Sequence, residues 1–214
     1  NTGKVRLIML VKNEVAKHCK VLDAEDSRHF PVKFLSVKFP KSRPYVLGGC
    51  YREWGSGSEK SIGEQIQRLS HFEDRVDSLS KQLSNEIWIG GDFNLNAQKF
   101  DDETWNLKNV ADRLEEICEK YSLKRLDAGL TYRYTKNYEV TCSTLNYFLS
   151  TVKDGNAGHK IGRVSAGFSD HDAIFAELPI FHRTSPTPVI RSILVRLAVK
   201  NVGKFKSDMK EAMA

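Results

Sequence analysis

Ile62, Ile66, Leu69, Phe72, Val76, Leu79 and Leu83 recur at spacings of three and four. An apolar stripe with that period predicts one long amphipathic helix. Val110, Leu114, Ile117, Cys118 and Tyr121 repeat the pattern and predict a second helix over residues 105–121. Elsewhere the apolar positions come in short runs. Residues 5–11 read as a buried strand. Residues 17–23 and 32–39 read as neighbouring strands, with a hairpin loop at Asp26 and Ser27. In the second of these the alternation is only half clean. Pro44 precedes another apolar run, 45–51, and residues 86–90 form a short strand. Further strand-like segments lie at 123–126, 130–134, 145–150, 161–164 and 173–178. Residues 54–58, Trp-Gly-Ser-Gly-Ser, predict a flexible loop.

Many short strands with two helices between them predict an α/β or α+β domain with mixed sheets. Pro179, Pro186 and Pro188 interrupt the pattern, so residues 189–214 are expected to be a linker or a separate helical piece. The 214 residues are 40% hydrophobic, ample for one core. No apolar run approaches the roughly 18 residues of a membrane span, so a membrane-embedded protein is not expected. No signal peptide opens the chain. It begins at Asn1 inside a strand-like run, which suggests an internal fragment.

Composition adds less than it first promises. The net charge of +6 invites a nucleic-acid reading, but seven basic residues against two acidic ones fall after residue 180. Charge therefore describes the tail more than the body. Cys19, Cys50, Cys118 and Cys142 show no CxxC spacing and no His at zinc-ligand spacing. Reduced thiols in an intracellular protein are expected.

Four polar clusters carry candidate chemistry. Gly90-Gly91-Asp92-Phe93-Asn94 follows a strand, where two glycines allow a sharp turn. Asp92 and Asn94 are two apart, so an extended segment would put both side chains on one side. A carboxylate and a carboxamide there can orient a water and hold a phosphate oxygen; a plain strand-to-loop turn has the same composition. Ser169-Asp170-His171-Asp172 places a potential metal ligand beside a proton-transfer group. Asn146 interrupts an apolar strand and needs partners if buried; His171 is one candidate. Tyr51-Arg52 ends a strand beside the glycine loop, and a hydroxyl with a guanidinium suits phosphate. Residues 55–61 fail the phosphate-loop pattern, because Glu59 and not Gly precedes Lys60.

The order of these clusters resembles the endonuclease/exonuclease/phosphatase superfamily, which includes pancreatic deoxyribonuclease, over roughly residues 4–180. The string Tyr51-Arg52-Glu53-Trp54 resembles the endonuclease domains of non-LTR retrotransposon polyproteins. The tail is similar to the connector leading on to a reverse transcriptase. The resemblance implies a four-layer sandwich: two mixed sheets face to face, helices outside, and the site at the strand ends. It implies a magnesium (or manganese) ion near Asp170 and hydrolysis of a DNA phosphodiester by water, giving a nick. Asp92 would orient or deprotonate the water, Asn94 hold a phosphate oxygen, Tyr51 contact the phosphate, and His171 stabilise or protonate the phosphoryl group. Arg52, Thr131, Arg133 and Ser143 would contact nucleic acid. The implied partners are DNA and a reverse transcriptase domain of the same polyprotein; no membrane or oligomer is implied. The implied location is intracellular, and nuclear when genomic DNA is the target.

Two departures shape the expectation. The superfamily opens with a strand bearing Asn and another bearing a metal-binding Glu, and this chain starts after both. Asn146 stands where the superfamily usually has an Asp that supports the His. Impaired nicking is therefore expected. An inactive copy that only binds nucleic acid or protein is the main alternative, and a phosphatase for small or lipid phosphates a further one.

Overall fold

The computed structural model describes residues 7–22, 30–40, 42, 44–82, 86–152, 159–167, 169–178 and 190–194. After a single helical turn, α1 (Asn13–Ala16), come the strands β1 (Cys19–Val21), β2 (Val32–Val37) and β3 (Tyr45–Tyr51). The long helix α2 (Glu59–Gln82) leads to β4 (Glu86–Asp92), and α3 (Lys108–Lys120) to β5 (Lys124–Asp127). Then follow β6 (Tyr132–Lys136), β7 (Glu139–Ser143), β8 (Asn146–Ser150), β9 (Lys160–Val164), β10 (Ala173–Leu178) and β11 (Ile190–Leu194).

Six strands form the main sheet in the order β1-β2-β3-β4-β8-β5. Its one parallel pair, β3–β4, is joined through α2, as a parallel crossover requires. On one face lie α2 and α3. The stripe read from the sequence is the buried one: Leu69, Phe72 and Val76 are fully buried, with Val110, Leu114 and Ile117 beside them. Complete burial of one such side chain contributes about 1.5–3 kcal/mol.

The other face of the main sheet carries Tyr45, Trp88 and Phe148. These pack against Ile174, Ala176 and Leu178 of β10, the middle strand of a three-stranded antiparallel sheet β11-β10-β9. Their alternation along β10 is the period of two that a half-buried strand requires. The architecture is thus α/β, with helices on a mixed sheet and that sheet on a second one. Three layers are present among the described residues, and the second sheet is wholly antiparallel. A two-stranded hairpin, β6–β7, stands beside the strand ends. No helix among the described residues is long and apolar enough to cross a membrane.

Three expectations need correction. Of the expected strand 5–11, the described residues 7–11 are not buried: Ile8, Leu10 and Val11 are exposed, with no ladder to them among the described residues. Apolar content alone did not supply a partner. The two glycines of the 90–94 motif do not make the turn, since both lie inside β4. Gly91 is small because β3 runs close by; a Cβ there would meet the Cys50 carbonyl oxygen at 2.0 Å. In the tail, residues 190–194 are neither linker nor helix, because they pair with β10 as β11. The hairpin loop at Asp26 and Ser27, the sequence end of the stripe at Leu83, and residues 179–189 and 195–214 lie outside the described residues.

Candidate active site

β4 leaves the sheet at Asp92, flanked by Tyr51 on parallel β3 and by Asn146 on antiparallel β8. The next residue, Phe93, is fully buried and stacks on the Tyr147 ring at 4.4 Å. That anchor forces the chain to turn, and Asn94 takes the turn at φ 49°, in the left-handed region. Asn is among the few non-glycine residues that enter it readily. The side chains of Asp92 and Asn94 meet because of this turn, not because the segment is extended. Asn94 donates its backbone N–H to Asp92 Oδ1 at 3.0 Å and its Nδ2 to Oδ2 at 3.2 Å. A carboxylate accepting two such bonds is held in one orientation.

His171 comes to the same strand ends from the second sheet. It precedes β10 and is buried. Its Nδ1 lies 3.0 Å from Asn146 Oδ1, and its ring packs against Tyr132 at 4.7 Å between centroids. Thr131 ties these pieces together. Its hydroxyl accepts the N–H groups of Leu145 and Asn146 at 3.1 and 2.9 Å, and its carbonyl accepts Asp172 N–H at 2.7 Å. Asp172 also pairs with Arg163 of β9 at 2.5 Å.

Asp92, Asn94, Asn146 and His171 therefore form one buried polar group, although up to 79 positions separate them in sequence. Tyr51 is half-buried beside it. Asp170 is exposed next to His171, with its carbonyl accepting the Arg133 N–H. An open cleft of about 260 Å³ adjoins the group, lined in part by Trp54, Asn94, Trp105, Tyr132 and Ser143.

The nucleic-acid contacts divide. Arg133 is exposed and Ser143 lines the cleft. Arg52 and Thr131, by contrast, are fully buried, out of reach of a ligand in the cleft. The Thr131 hydroxyl is spent on backbone N–H groups, and the Arg52 guanidinium on carbonyls and on Gln65. Burial pulls the Arg52 pKa down to about 10, with nearby Tyr147 and Asp92 opposing it; the group is still a cation at neutral pH. Gln65 was missed by sequence reasoning. A signal existed: it lies three residues after Ile62 and four before Leu69, a polar residue on the apolar stripe.

The implied divalent cation does not fit the described residues. No group of three or more His, Cys, Asp or Glu among them could hold a metal ion. Asp170 is a lone exposed carboxylate, and hard cations take six or so oxygen ligands. The assignment of Asp170 as the metal ligand is thus not met by the side chains around it.

The sequence matches no family model and no curated protein. Solved structures with a similar course of chain exist. One is the endonuclease domain of TRAS1, a telomere-specific non-LTR retrotransposon, at 15% identity and a TM-score of 0.45, over 67% of this chain and 61% of that one. Another is D. rerio TDP2 complexed with a single-strand DNA product, at 11% identity and 0.45, over 75% and 68%. A third is an endonuclease/exonuclease/phosphatase family protein from Leptotrichia buccalis, at 13% and 0.43, over 74% and 53%. This chain spans about six-tenths of the length of the TRAS1 domain.

Chemically, the group offers a fixed carboxylate, a carboxamide beside it, and an imidazole whose Nδ1 is engaged. The Asn146 amide donates its Nδ2 to the Asp172 carbonyl at 3.4 Å, which turns its oxygen toward the ring. An amide oxygen only accepts, so Nδ1 donates in this bond.

Proposed function

We propose that this chain is part of a phosphodiester hydrolase of the endonuclease/exonuclease/phosphatase superfamily that nicks DNA, as the endonuclease region of a non-LTR retrotransposon polyprotein. The observation that carries the reading is the pairing of Asp92 with Asn146 across β4 and β8, with His171 on Asn146 at 3.0 Å. This sets a carboxylate and an imidazole at one pair of strand ends, the minimum for moving a proton on and off water at a phosphate. In this reading Asp92 orients the attacking water, Asn94 and Tyr51 hold the phosphoryl oxygens, and His171 stabilises the charge that builds on them. Asp170, Arg133 and Ser143 face the strand. DNA is the substrate, the location is intracellular and nuclear when genomic DNA is the target, and a reverse transcriptase domain of the same polyprotein is the partner. A magnesium or manganese ion belongs to this reading only with ligands beyond Asp170.

A second reading has its own support. Asn146 gives His171 a neutral partner where a carboxylate would favour the imidazolium, so the site suits binding without turnover. Nicking of supercoiled plasmid with magnesium or manganese, run beside phosphate release from a phosphoinositide, separates the two and tests the phosphatase alternative. Nicking lost in His171→Ala supports the hydrolase. Plasmid retention without nicking supports the binder, and phosphate release without nicking moves the substrate away from DNA.

A further inference from the structure

Arg52 binds three consecutive residues of the catalytic turn. Its backbone N–H donates to Asp92 O at 2.8 Å, Nε to Phe93 O at 2.5 Å and Nη2 to Asn94 O at 2.6 Å. In return, the Arg52 carbonyl accepts Asn94 Nδ2 at 2.6 Å. The left-handed conformation at Asn94 costs a non-glycine residue, and such strain persists only where its surroundings over-determine it. Here one buried side chain adds to the hold that Phe93 has on Tyr147.

The guanidinium has a further bond. Nη1 donates to Gln65 Oε1 at 2.6 Å. Gln65 is itself buried on the first turns of α2, and its Nε2 lies 3.1 Å from each of Ser56 O, Ser61 O and Ser61 Oγ. It also fills the space over Gly55, where a Cβ would meet its Cδ at 2.4 Å. The loop of residues 54–58 therefore rests on Gln65, and the turn of residues 92–94 rests on Arg52. A single short bond joins the two supports. Trp54, Gly55, Gly57 and Asn94 all line the cleft.

We propose that Gln65 and Arg52 are positioning residues forming a relay, which couples the glycine loop at 54–58 to the Asp92–Asn94 turn, so that a nucleic-acid strand lying against the loop sets the carboxylate and carboxamide at the reacting phosphate. The use made of the turn rests on the hydrolase reading; the coupling rests on the geometry alone. The bland competitor is that Arg52 and Gln65 merely fill the core. A cation buried on carbonyl oxygens is a poor filler, since an apolar residue of similar volume often stabilises as well or better. What the cation adds is directed bonds to a strained turn, bonds that apolar packing cannot supply.

The decisive lesion is on the loop side, away from Arg52. In Gly55→Ala the new methyl displaces the Gln65 side chain, and the backbone at Gly55 is not in the left-handed region that only glycine prefers. Amide hydrogen exchange of the whole chain is read at Phe93 and Asn94, whose N–H groups bond Leu145 O and Asp92 Oδ1, and at Leu69 to Val76 in α2 as reference. The relay requires exchange at Phe93 and Asn94 to rise about tenfold with the reference unchanged. Gln65→Met, which keeps length but loses every bond, must produce the same rise. A rise in Gln65→Met without one in Gly55→Ala overturns the coupling, as does no rise in either. A general rise that includes α2 assigns both residues a purely structural role and overturns it too. Plasmid nicking forms a separate arm: kcat is expected to fall about tenfold in Gln65→Met, whose side chain is buried behind the loop, at constant KM. Wild-type protein that fails to nick removes the hydrolase reading while the exchange result still decides the relay. Unchanged kcat beside a confirmed exchange effect overturns the relay's part in catalysis.

Discussion

His171 Nδ1 lies 3.0 Å from Asn146 Oδ1, and Asn146 stands opposite Asp92 in the ladder of β4 and β8. The imidazole from one sheet is thereby fixed to the strand beside the carboxylate of the other. The carboxamide is uncharged, so it orients the ring without the charge a carboxylate would bring.

Asn146→Asp is expected to raise nicking about tenfold, since charge-assisted bonds are roughly twice as strong as neutral ones and 1.4 kcal/mol is a factor of ten. The added carboxylate favours the imidazolium, so the limb of the pH profile belonging to His171 moves to higher pH. The change also gives up the Asn146 bond to Asp172 O, which lowers stability somewhat. Nicking time courses of both versions from about pH 6 to 8.5 read the effect. Equal rates at every pH, with both proteins folded, would show that the carboxamide is no handicap.

Two glycine substitutions should act in opposite directions. Gly91→Ala drives a Cβ to 2.0 Å from the Cys50 carbonyl oxygen in the neighbouring strand, and is expected to cost about 3 kcal/mol or more. Gly63→Ala lies exposed in α2 with nothing within 4 Å, and is expected to stabilise by about 0.5–1 kcal/mol. Urea unfolding of both measures the signs. A neutral Gly91→Ala would mean that β3 and β4 lie farther apart than described.

Tyr147 is fully buried, and its hydroxyl has no hydrogen-bond partner among the described residues. Burial pushes its pKa well above the usual phenol value. Its ring is needed against Phe93, but its oxygen is not. Tyr147→Phe should leave Tm unchanged or raise it by a few degrees, since an unpaired buried polar group costs about 1–3 kcal/mol. A fall in Tm on thermal unfolding would reveal a partner for the hydroxyl.

Glu73 of α2 accepts from Lys120 at 2.7 Å and pairs with Arg113, both on α3. The Lys120 hydrogen bond, assisted by the charge of Arg113, holds its carboxyl below the ordinary 4.5. The folded-state value is thus the depressed one. Its contribution to stability is present above about pH 4.5 and is lost as pH falls through the lower, folded value. Thermal unfolding between about pH 3 and 6 should show Glu73→Gln losing less stability on acidification than wild type. Parallel curves for the two proteins would count against any role for this carboxylate in acid unfolding.

The sequence by itself determined the helices, most of the strands and the α/β class, because each is written in a local period. Ile62 to Leu79 can form only one kind of stripe, and Ile174, Ala176 and Leu178 only one kind of strand face. It also exposed the unusual polar residues, Asp92, Asn94, Asn146 and His171, since polar groups beside apolar runs stand out. What it could not decide is which of these groups water reaches. Arg52 and Thr131 read as ligand contacts, yet both are fully buried, and their hydrogen bonds go to backbone atoms 14 to 42 positions away. Residues 5–11 read as a core strand, yet the described part, 7–11, has no ladder partner among the described residues. Burial and pairing of this kind depend on contacts between distant segments, and only the tertiary structure, by fixing the β4–β8 register and seating β10 beside it, decided that Asp92 and His171 share one site.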